Sequence, residues 1–240
     1  MAQADWIELA DALSVASLRR GVTAEVTPPP PGTGFVFAYN SIDAQARGAH
    51  GWAVALPDFD PMAAGGSIRG CVKRVGSPGN VGMTPLLYIS AEDSPPSVNS
   101  RAYILGLGDS DPYEVVLAKG VIASGLPGAA ATDVTVLRRS SAQYSMGDDR
   151  WHNMRLDAIV EPCGDVLLKV FANDLVAHPL GTTPDWQPIV GMADFVDGIT
   201  GIASGSAPLI LGGWCGFAFA VAAAVNRRGA FRALQADRSA

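Results

Sequence analysis

The stretch PLILGGWCGFAFAVAAAV, Pro208–Val225, decides the fold of this chain, because eighteen residues without a charge can form either a membrane helix or a buried strand. The basic segment Asn226–Arg228 follows it directly, as basic residues often follow a membrane span. A membrane helix would have to accommodate Gly212, Gly213 and Gly216, and its hydrophobicity would depend on alanine more than on leucine or isoleucine. Alternate positions carry larger apolar side chains: Cys215, Phe217, Phe219 and Val221. This period of two favours a buried β-strand over a membrane helix.

The composition of the whole chain agrees with a folded β protein. Hydrophobic residues make up 48% of the 240 residues and charged residues only 17%, which excludes intrinsic disorder. Glycine and proline, 27 and 17 residues, punctuate short apolar runs throughout the sequence, as in a sandwich or barrel of many strands. The net charge of −6 and the scattered Lys and Arg residues leave no basic stripe for nucleic acid.

A β-hairpin is the clearest local prediction, in the segment Asn153–Phe171. Met154, Leu156, Ala158 and Val160 alternate with polar residues, which gives a strand with one apolar face and one solvent-facing polar face. The sequence EPCGD then supplies turn residues, and a second alternating strand begins at Val166.

Other segments predict strands at similar intervals. They are Gly34–Tyr39, Gly51–Leu56, Ser67–Val75, Leu86–Ser90, Ala102–Leu107, Tyr113–Lys119, Val134–Arg139, Gly213–Val221 and Ala230–Ala236. Asp5–Arg20 fits a helix or a strand entry, and the proline-rich Thr27–Gly34 fits a stiff linker. Pro179–Pro208 reads as a long loop with a helical turn near Met192–Val196. We therefore expect an N-terminal segment, 1–33, followed by one β-sandwich domain, 34–240.

The cysteines and the N-terminus indicate a chain made in the cytoplasm. Cys71, Cys163 and Cys215 are odd in number and lack C-x-x-C spacing, which favours reduced, buried thiols over disulfides or a zinc site. The N-terminal residues show no basic and apolar secretion signal.

No catalytic motif is recognisable. A retaining glycosidase needs two carboxylates about 5–5.5 Å apart, and no Glu-x-Asp-x-Glu spacing occurs. The three histidines are far apart, and His152 fits a packing or hydrogen-bonding role. The sequence has no Gly-x-Ser-x-Gly elbow, phosphate loop or complete dinucleotide fingerprint. We expect a protein that is not an enzyme.

Calcium is the one metal that the loops suggest. Asp-x-Asp pairs in loops suit a hard cation, although they suit Asx-turns equally well. The candidate ligands are Asp58 and Asp60, Asp109 and Asp111, and Asp194 and Asp197.

Loop aromatics could bind a sugar by stacking on its apolar face. The candidates are Trp186 and Tyr113, which lie in turn-like sequence. The alternative is that each side chain packs against the protein and anchors the loop that carries it. Trp52 and Trp214 lie in apolar runs and are predicted to be core residues.

The middle and the end of the chain resemble the concanavalin A-like jelly roll, the group that includes laminin-G-like, lectin and glucanase domains. The segments concerned are WHNMRLDAIVEPCGDVLLKVFAND and GWCGFAFAVAAAVNRRGAFRALQAD, the latter with the Gly-x-x-Gly-Phe pattern and a later inward Phe, here Phe231. The resemblance implies an all-β sandwich of two antiparallel sheets with few short helices. It implies little about function, because this fold supports many activities.

A narrower resemblance is to structural proteins of tailed bacteriophages. It is carried by RRGVTAEVTPPP, GGSIRGCVKR, AYILGLGDSDPYEVVLAKG and GMADFVDGITGIASGSAP. The resemblance implies a virion component of the tail, baseplate or head–tail region that assembles with itself and with other virion proteins. The alternatives are a carbohydrate-binding module for a host-surface glycan, a polysaccharide hydrolase and a membrane anchor.

Overall fold

The structure, a computed structural model, is built from β-strands. It describes residues 7–10, 17–20, 36–40, 48–55, 65–75, 83–107, 114–122, 133–140, 152–174, 186–189, 191–192, 194–198, 212–221 and 228–239. The strands are β1 Ile7–Ala10, β2 Ser17–Arg20, β3 Val36–Asn40, β4 Gly48–Ala55, β5 Gly65–Val75, β6 Met83–Ala91, β7 Arg101–Leu107, β8 Val115–Val121, β9 Val134–Arg139, β10 His152–Val160, β11 Val166–Asp174, β12 Gln187–Pro188, β13 Phe195–Asp197, β14 Trp214–Val221 and β15 Arg228–Ser239.

These strands form two antiparallel sheets. The seven-stranded sheet has the order β1-β4-β14-β6-β7-β8-β9. The eight-stranded sheet has the order β12-β11-β10-β5-β15-β3-β2, with β13 also paired to β11. Since β1 pairs with β4 and β2 pairs with β3, the N-terminal segment contributes a strand to each sheet, and the helix alternative fails for those residues.

The apolar C-terminal stretch enters the sandwich as a strand. β14 lies between β4 and β6 in the middle of the seven-stranded sheet. The side chains of Cys215 and Phe217 are fully buried between the sheets, whereas that of Ala218 is buried on the opposite face. The predicted alternation is confirmed at these positions. Among the described residues, no helix has the length and apolar character needed to cross a bilayer.

The predicted hairpin is also confirmed. β10 and β11 pair from His152 with Asp174 to Val160 with Val166. The turn is closed by hydrogen bonds from the Glu161 N–H to the Asp165 carbonyl, 2.8 Å, and from the Gly164 N–H to the Glu161 carbonyl, 2.8 Å. Gly164 has a φ of 91°, a conformation that glycine adopts without a β-carbon penalty.

One prediction of local structure is wrong. The helical turn predicted near Met192–Val196 is instead a turn followed by a strand, and no α-helix occurs in the ranges described. The Met192 N–H bonds to the Ile189 carbonyl at 2.9 Å, and β13 then pairs with Val166–Leu168. An available strand edge at β11 outweighs the weak local preference of this segment.

The two faces of the seven-stranded sheet are both apolar. The main core lies between the sheets and includes inward residues of β10 and β11, namely Met154, Leu156, Ala158, Val166, Leu168, Val170 and Ala172. A second cluster covers the outer face of the seven-stranded sheet and includes Leu86, Tyr88, Ala102, Ile104, Val116, Ala118 and Ala218. Each large side chain buried in this way stabilises the fold by about 1.5–3 kcal/mol.

The cysteines and Trp214 depart in part from expectation. All three cysteines are free, and Cys71 and Cys215 are buried as predicted, but Cys163 is exposed because it occupies the hairpin turn. Trp214 is only partly buried, packing against the second cluster while its Nε1 donates to Ser94 Oγ at 3.0 Å.

Candidate functional site

The outer side of the eight-stranded sheet carries polar side chains where the other sheet carries apolar ones. We call this side the polar face, and we define it by residues of three adjacent strands: Ser67, Arg69 and Cys71 of β5, Asn153, Arg155 and Asp157 of β10, and Lys169 and Phe171 of β11. They alternate with the core residues of the same strands, so they project away from the core.

Strand register sets Arg155 at the centre of the polar face. Arg155 lies opposite Phe171 on one side and opposite Arg69 on the other. Neighbouring strands are about 4.8 Å apart, so these three side chains form one row across the sheet. Arg155 is partly exposed, with 29% of its side chain accessible, and both Arg69 and Phe171 are also half-buried.

The guanidinium of Arg155 is held by two neighbours at once. Its Nε donates to Asp157 Oδ1 at 2.7 Å and its Nη2 donates to Asp157 Oδ2 at 2.6 Å, a bidentate pair. Its Cζ lies 5.2 Å from the centroid of the Phe171 ring, within the range of a cation–π contact. These contacts fix a planar donor group on a rigid strand.

A buried hydrogen bond supports the next row of the polar face. The Cys71 thiol donates to Asn153 Oδ1 at 2.8 Å, and both residues are less than 5% exposed. Asp157 is also buried, at 4%. The sequence pattern predicts that Asn153, Arg155 and Asp157 face solvent, and this is wrong for Asn153 and Asp157, which are buried and bond to Cys71 and Arg155.

Trp186 lies at the border of the polar face. It immediately precedes β12, the edge strand whose Pro188 pairs with Phe171. Trp186 is partly buried, and its indole N–H is shielded from solvent without a hydrogen bond to any part of the chain that the structure describes. Extension of the strand alternation from Pro188 sets Trp186 on the same side of the sheet as Phe171.

The other predicted site residues do not join this face. Tyr113, Asp58, Asp60, Asp109 and Asp111 lie outside the described residues, so sugar binding at Tyr113 and calcium at these carboxylates remain predictions.

The third candidate calcium pair is separated and engaged otherwise. Both Asp197 oxygens contact Lys119, whereas Asp194 is exposed and lies 3.5 Å from Lys169 Nζ. No three His, Cys, Asp or Glu side chains of the described ranges form a group that could hold a metal ion.

Sequence reasoning missed the most informative residues of the polar face. Phe171 and Arg155 were visible as outward positions of the hairpin, and pairing the two predicted strands would have brought them together. Arg69 could not be placed, because the register of β5 against β10 depends on contacts across more than eighty residues of sequence.

Comparisons with known proteins give a likeness of fold. No protein-family model matches the sequence, and no curated protein matches it. The PL-14 alginate lyase from Aplysia kurodai has a similar structure, with a TM-score of 0.50 and 10% identity over 90% of this chain and 86% of the lyase.

Two further solved structures are also similar. The exoplasmic/lumenal domain of VIP36 in its Ca²⁺/Man3GlcNAc-bound form has a TM-score of 0.45 and 11% identity over 98% of this chain and 89% of that one. Lectin II from Ulex europaeus has a TM-score of 0.41 and 9% identity over 98% of both chains. With its two antiparallel sheets, this chain has an all-β jelly-roll sandwich fold.

Proposed function

We propose that this protein is a non-enzymatic carbohydrate-binding module that holds a glycan on the polar face. The observation that carries the proposal is the fixed guanidinium of Arg155, set between the Asp157 carboxylate and the Phe171 ring. Sugar hydroxyls are bound by planar polar groups, and the apolar side of a sugar ring stacks on aromatic rings. Side chains that are already ordered lose little entropy when a ligand binds.

The extent of the polar face suits an oligosaccharide better than a single sugar. From β12 to β5 the sheet spans three strand spacings, or about 14 Å. Phe171 lies near the middle of this span and Trp186 at its edge, so two aromatic side chains border the central arginines.

The carboxylates support binding rather than hydrolysis. Glycoside hydrolysis uses two carboxyl groups, about 5–5.5 Å apart or about 6.5–9.5 Å apart. Among the side chains that define the polar face, Asp157 is the only carboxylate, and both of its oxygens accept hydrogen bonds from Arg155. A carboxylate engaged in this way is a poor nucleophile or base, which favours a module without turnover.

Glycan-array screening followed by calorimetry tests the proposal. We expect binding to at least one oligosaccharide class, weakened about tenfold by Arg155→Lys, because an ammonium cannot reproduce the bidentate, stacked geometry. Phe171→Ala and Trp186→Ala should also weaken it. Arg138→Lys is a matched control, since Arg138 lies 4.6 Å from the Phe195 ring but away from the polar face. An array without hits, or equal losses in the control, would contradict the proposal.

A second proposal is that the chain is a structural component of a tailed-phage virion, made in the host cytoplasm and assembled with copies of itself and with other virion proteins. The four phage-like sequence segments support it. All four overlap strands of the sandwich, namely β2, β5, β7–β8 and β13, so part of that similarity reflects shared strands. Peptides of this chain in purified particles, together with self-association in sedimentation experiments, would support the proposal. Particles that lack the chain would overturn it.

A further inference from the structure

A charged pair lies inside the main core and connects the two sheets. Lys119 of β8 contacts both carboxylate oxygens of Asp197 of β13, with Nζ–Oδ1 and Nζ–Oδ2 distances of 2.9 and 2.8 Å. Each side chain is only 1% exposed. Tyr103 of β7, fully buried and directly opposite Lys119 in register, donates its hydroxyl to Asp197 Oδ2 at 2.8 Å.

We propose that Lys119 and Asp197 condense to form an intramolecular amide bond, a covalent cross-link between the two sheets. The step begins with transfer of one proton from the Lys119 ammonium to the Asp197 carboxylate. The resulting amine attacks Cγ of the carboxylic acid to form a tetrahedral intermediate. One hydroxyl group of this intermediate then takes a proton from the nitrogen and leaves as water, so the nitrogen keeps one proton in the amide.

This reaction balances within the pair. An ammonium and a carboxylate become one amide and one water molecule: a C–N bond forms, a C–O bond breaks, and nothing is oxidised or reduced. The Tyr103 hydroxyl bonds to the carboxylate and therefore polarises the C–O bond and stabilises the oxyanion of the intermediate. No external reactant is required.

Three features of the site favour condensation over a permanent ion pair. A nitrogen so close to both oxygens lies about 3–3.5 Å from the intervening carbon, which is the separation of a near-attack pair, and rotation of the carboxyl plane then turns its face toward the amine. Burial penalises the two charges, which the amide removes. The core also excludes the bulk water that would favour hydrolysis.

Lys169 and Asp194 provide a contrast within the same protein. They are also a lysine and an aspartate, 3.5 Å apart, but their side chains are 33% and 60% exposed. Hydration stabilises both charges there, so this pair stays ionic. The cross-link should therefore be specific to Lys119 and Asp197.

Intact-mass spectrometry of the purified, denatured protein is the primary test. We expect a mass lower than that of the sequence by one water molecule, after allowance for loss of the initiator methionine. Trypsin should fail to cut after Lys119 and should release one linked species that contains residues 102–138 and 170–227. An unshifted mass, in both fresh and incubated protein, would overturn the proposal.

A matched variant distinguishes the cross-link from a second reaction that would also lower the mass by one water molecule. Asp197 precedes Gly198, and an Asp-Gly sequence can lose water by forming a succinimide within a single peptide. Lys119→Arg keeps the positive charge but cannot form the amide, so its mass should equal that of its sequence. The cross-link would be contradicted if Lys119→Arg also showed the mass decrease of one water molecule. It would also be contradicted if the decrease mapped to peptide 170–227 without peptide 102–138 attached.

Two further variants test the assigned roles. Tyr103→Phe keeps the ring and removes the hydroxyl, and it should slow the appearance of the linked species at least tenfold in freshly folded protein. Lys169→Arg should leave the linked species unchanged. The wild-type peptide map decides the proposal even if Lys119→Arg does not fold.

Discussion

A β-carbon added to Gly212 would lie 1.6 Å from the carbonyl oxygen of Ala91, so the backbone entering β14 runs directly against the end of β6. The Gly212 N–H also donates to the Ser90 carbonyl at 3.1 Å. This close approach requires glycine at position 212, and this glycine is one of the residues that make a helix unfavourable for the apolar stretch. It also brings Trp214 into register with Ala91 at the start of the central strand pair.

Gly212→Ala should therefore be strongly destabilising. The clash is with backbone atoms, which cannot rotate away, so we expect the free energy of unfolding to fall by about 3 kcal/mol. Gly164→Ala is the control: it has open space and suffers only the cost of its positive φ, about 1–2 kcal/mol. Urea unfolding measures both. Equal losses would show that the backbones do not meet at Gly212.

Thiol labelling should distinguish the three cysteines. Cys163 is exposed in the hairpin turn, whereas Cys71 and Cys215 are 2% and 0% exposed. In native protein we expect one thiol to react rapidly with an aromatic disulfide reagent, and three after denaturation. Cys163→Ser should abolish the rapid reaction. Rapid labelling of two or more native thiols would contradict the burial of Cys71 and Cys215.

Local patterns in the sequence predicted the strands well. The alternation around Phe217 and the turn residues before Val166 each depend on a few adjacent residues, and the structure confirms both. Contacts between distant strands were not predictable in this way. The row of Arg69, Arg155 and Phe171 requires the register of three strands, and a slip by one residue would reverse every side chain of a strand.

The buried lysine illustrates a signal that was present but incomplete. Lys119 falls on the same alternate positions as Val115 and Leu117, which indicates an inward-facing charge in β8. Its partner is 78 residues away, in a segment whose composition predicts a loop. Only the pairing of β13 with β11 brings Asp197 to the core.

Removal of the buried lysine should destabilise the fold. Lys119→Met leaves the Asp197 carboxylate buried without its cation, whether the wild-type pair is ionic or condensed. We expect the free energy of unfolding to fall by about 3 kcal/mol or more. Lys169→Met is the control and should change it by less than about 1 kcal/mol, because that pair is exposed. A similar, small effect of both substitutions in urea unfolding would contradict the burial of the pair.

The stability of the fold should decrease at alkaline pH because of Tyr88. Complete burial raises the pKa of the Tyr88 phenol well above its ordinary value of 10.0, and the neighbouring Cys215 adds to the shift. Above about pH 10 the unfolded chain releases this proton while the native protein retains it, so the free energy of unfolding falls as pH rises toward the native pKa. Tyr88→Phe removes this linkage and should flatten the fall above pH 10, whatever its effect at neutral pH. Unfolding curves at several pH values measure the slope, and identical slopes in the two proteins would show that Tyr88 does not contribute.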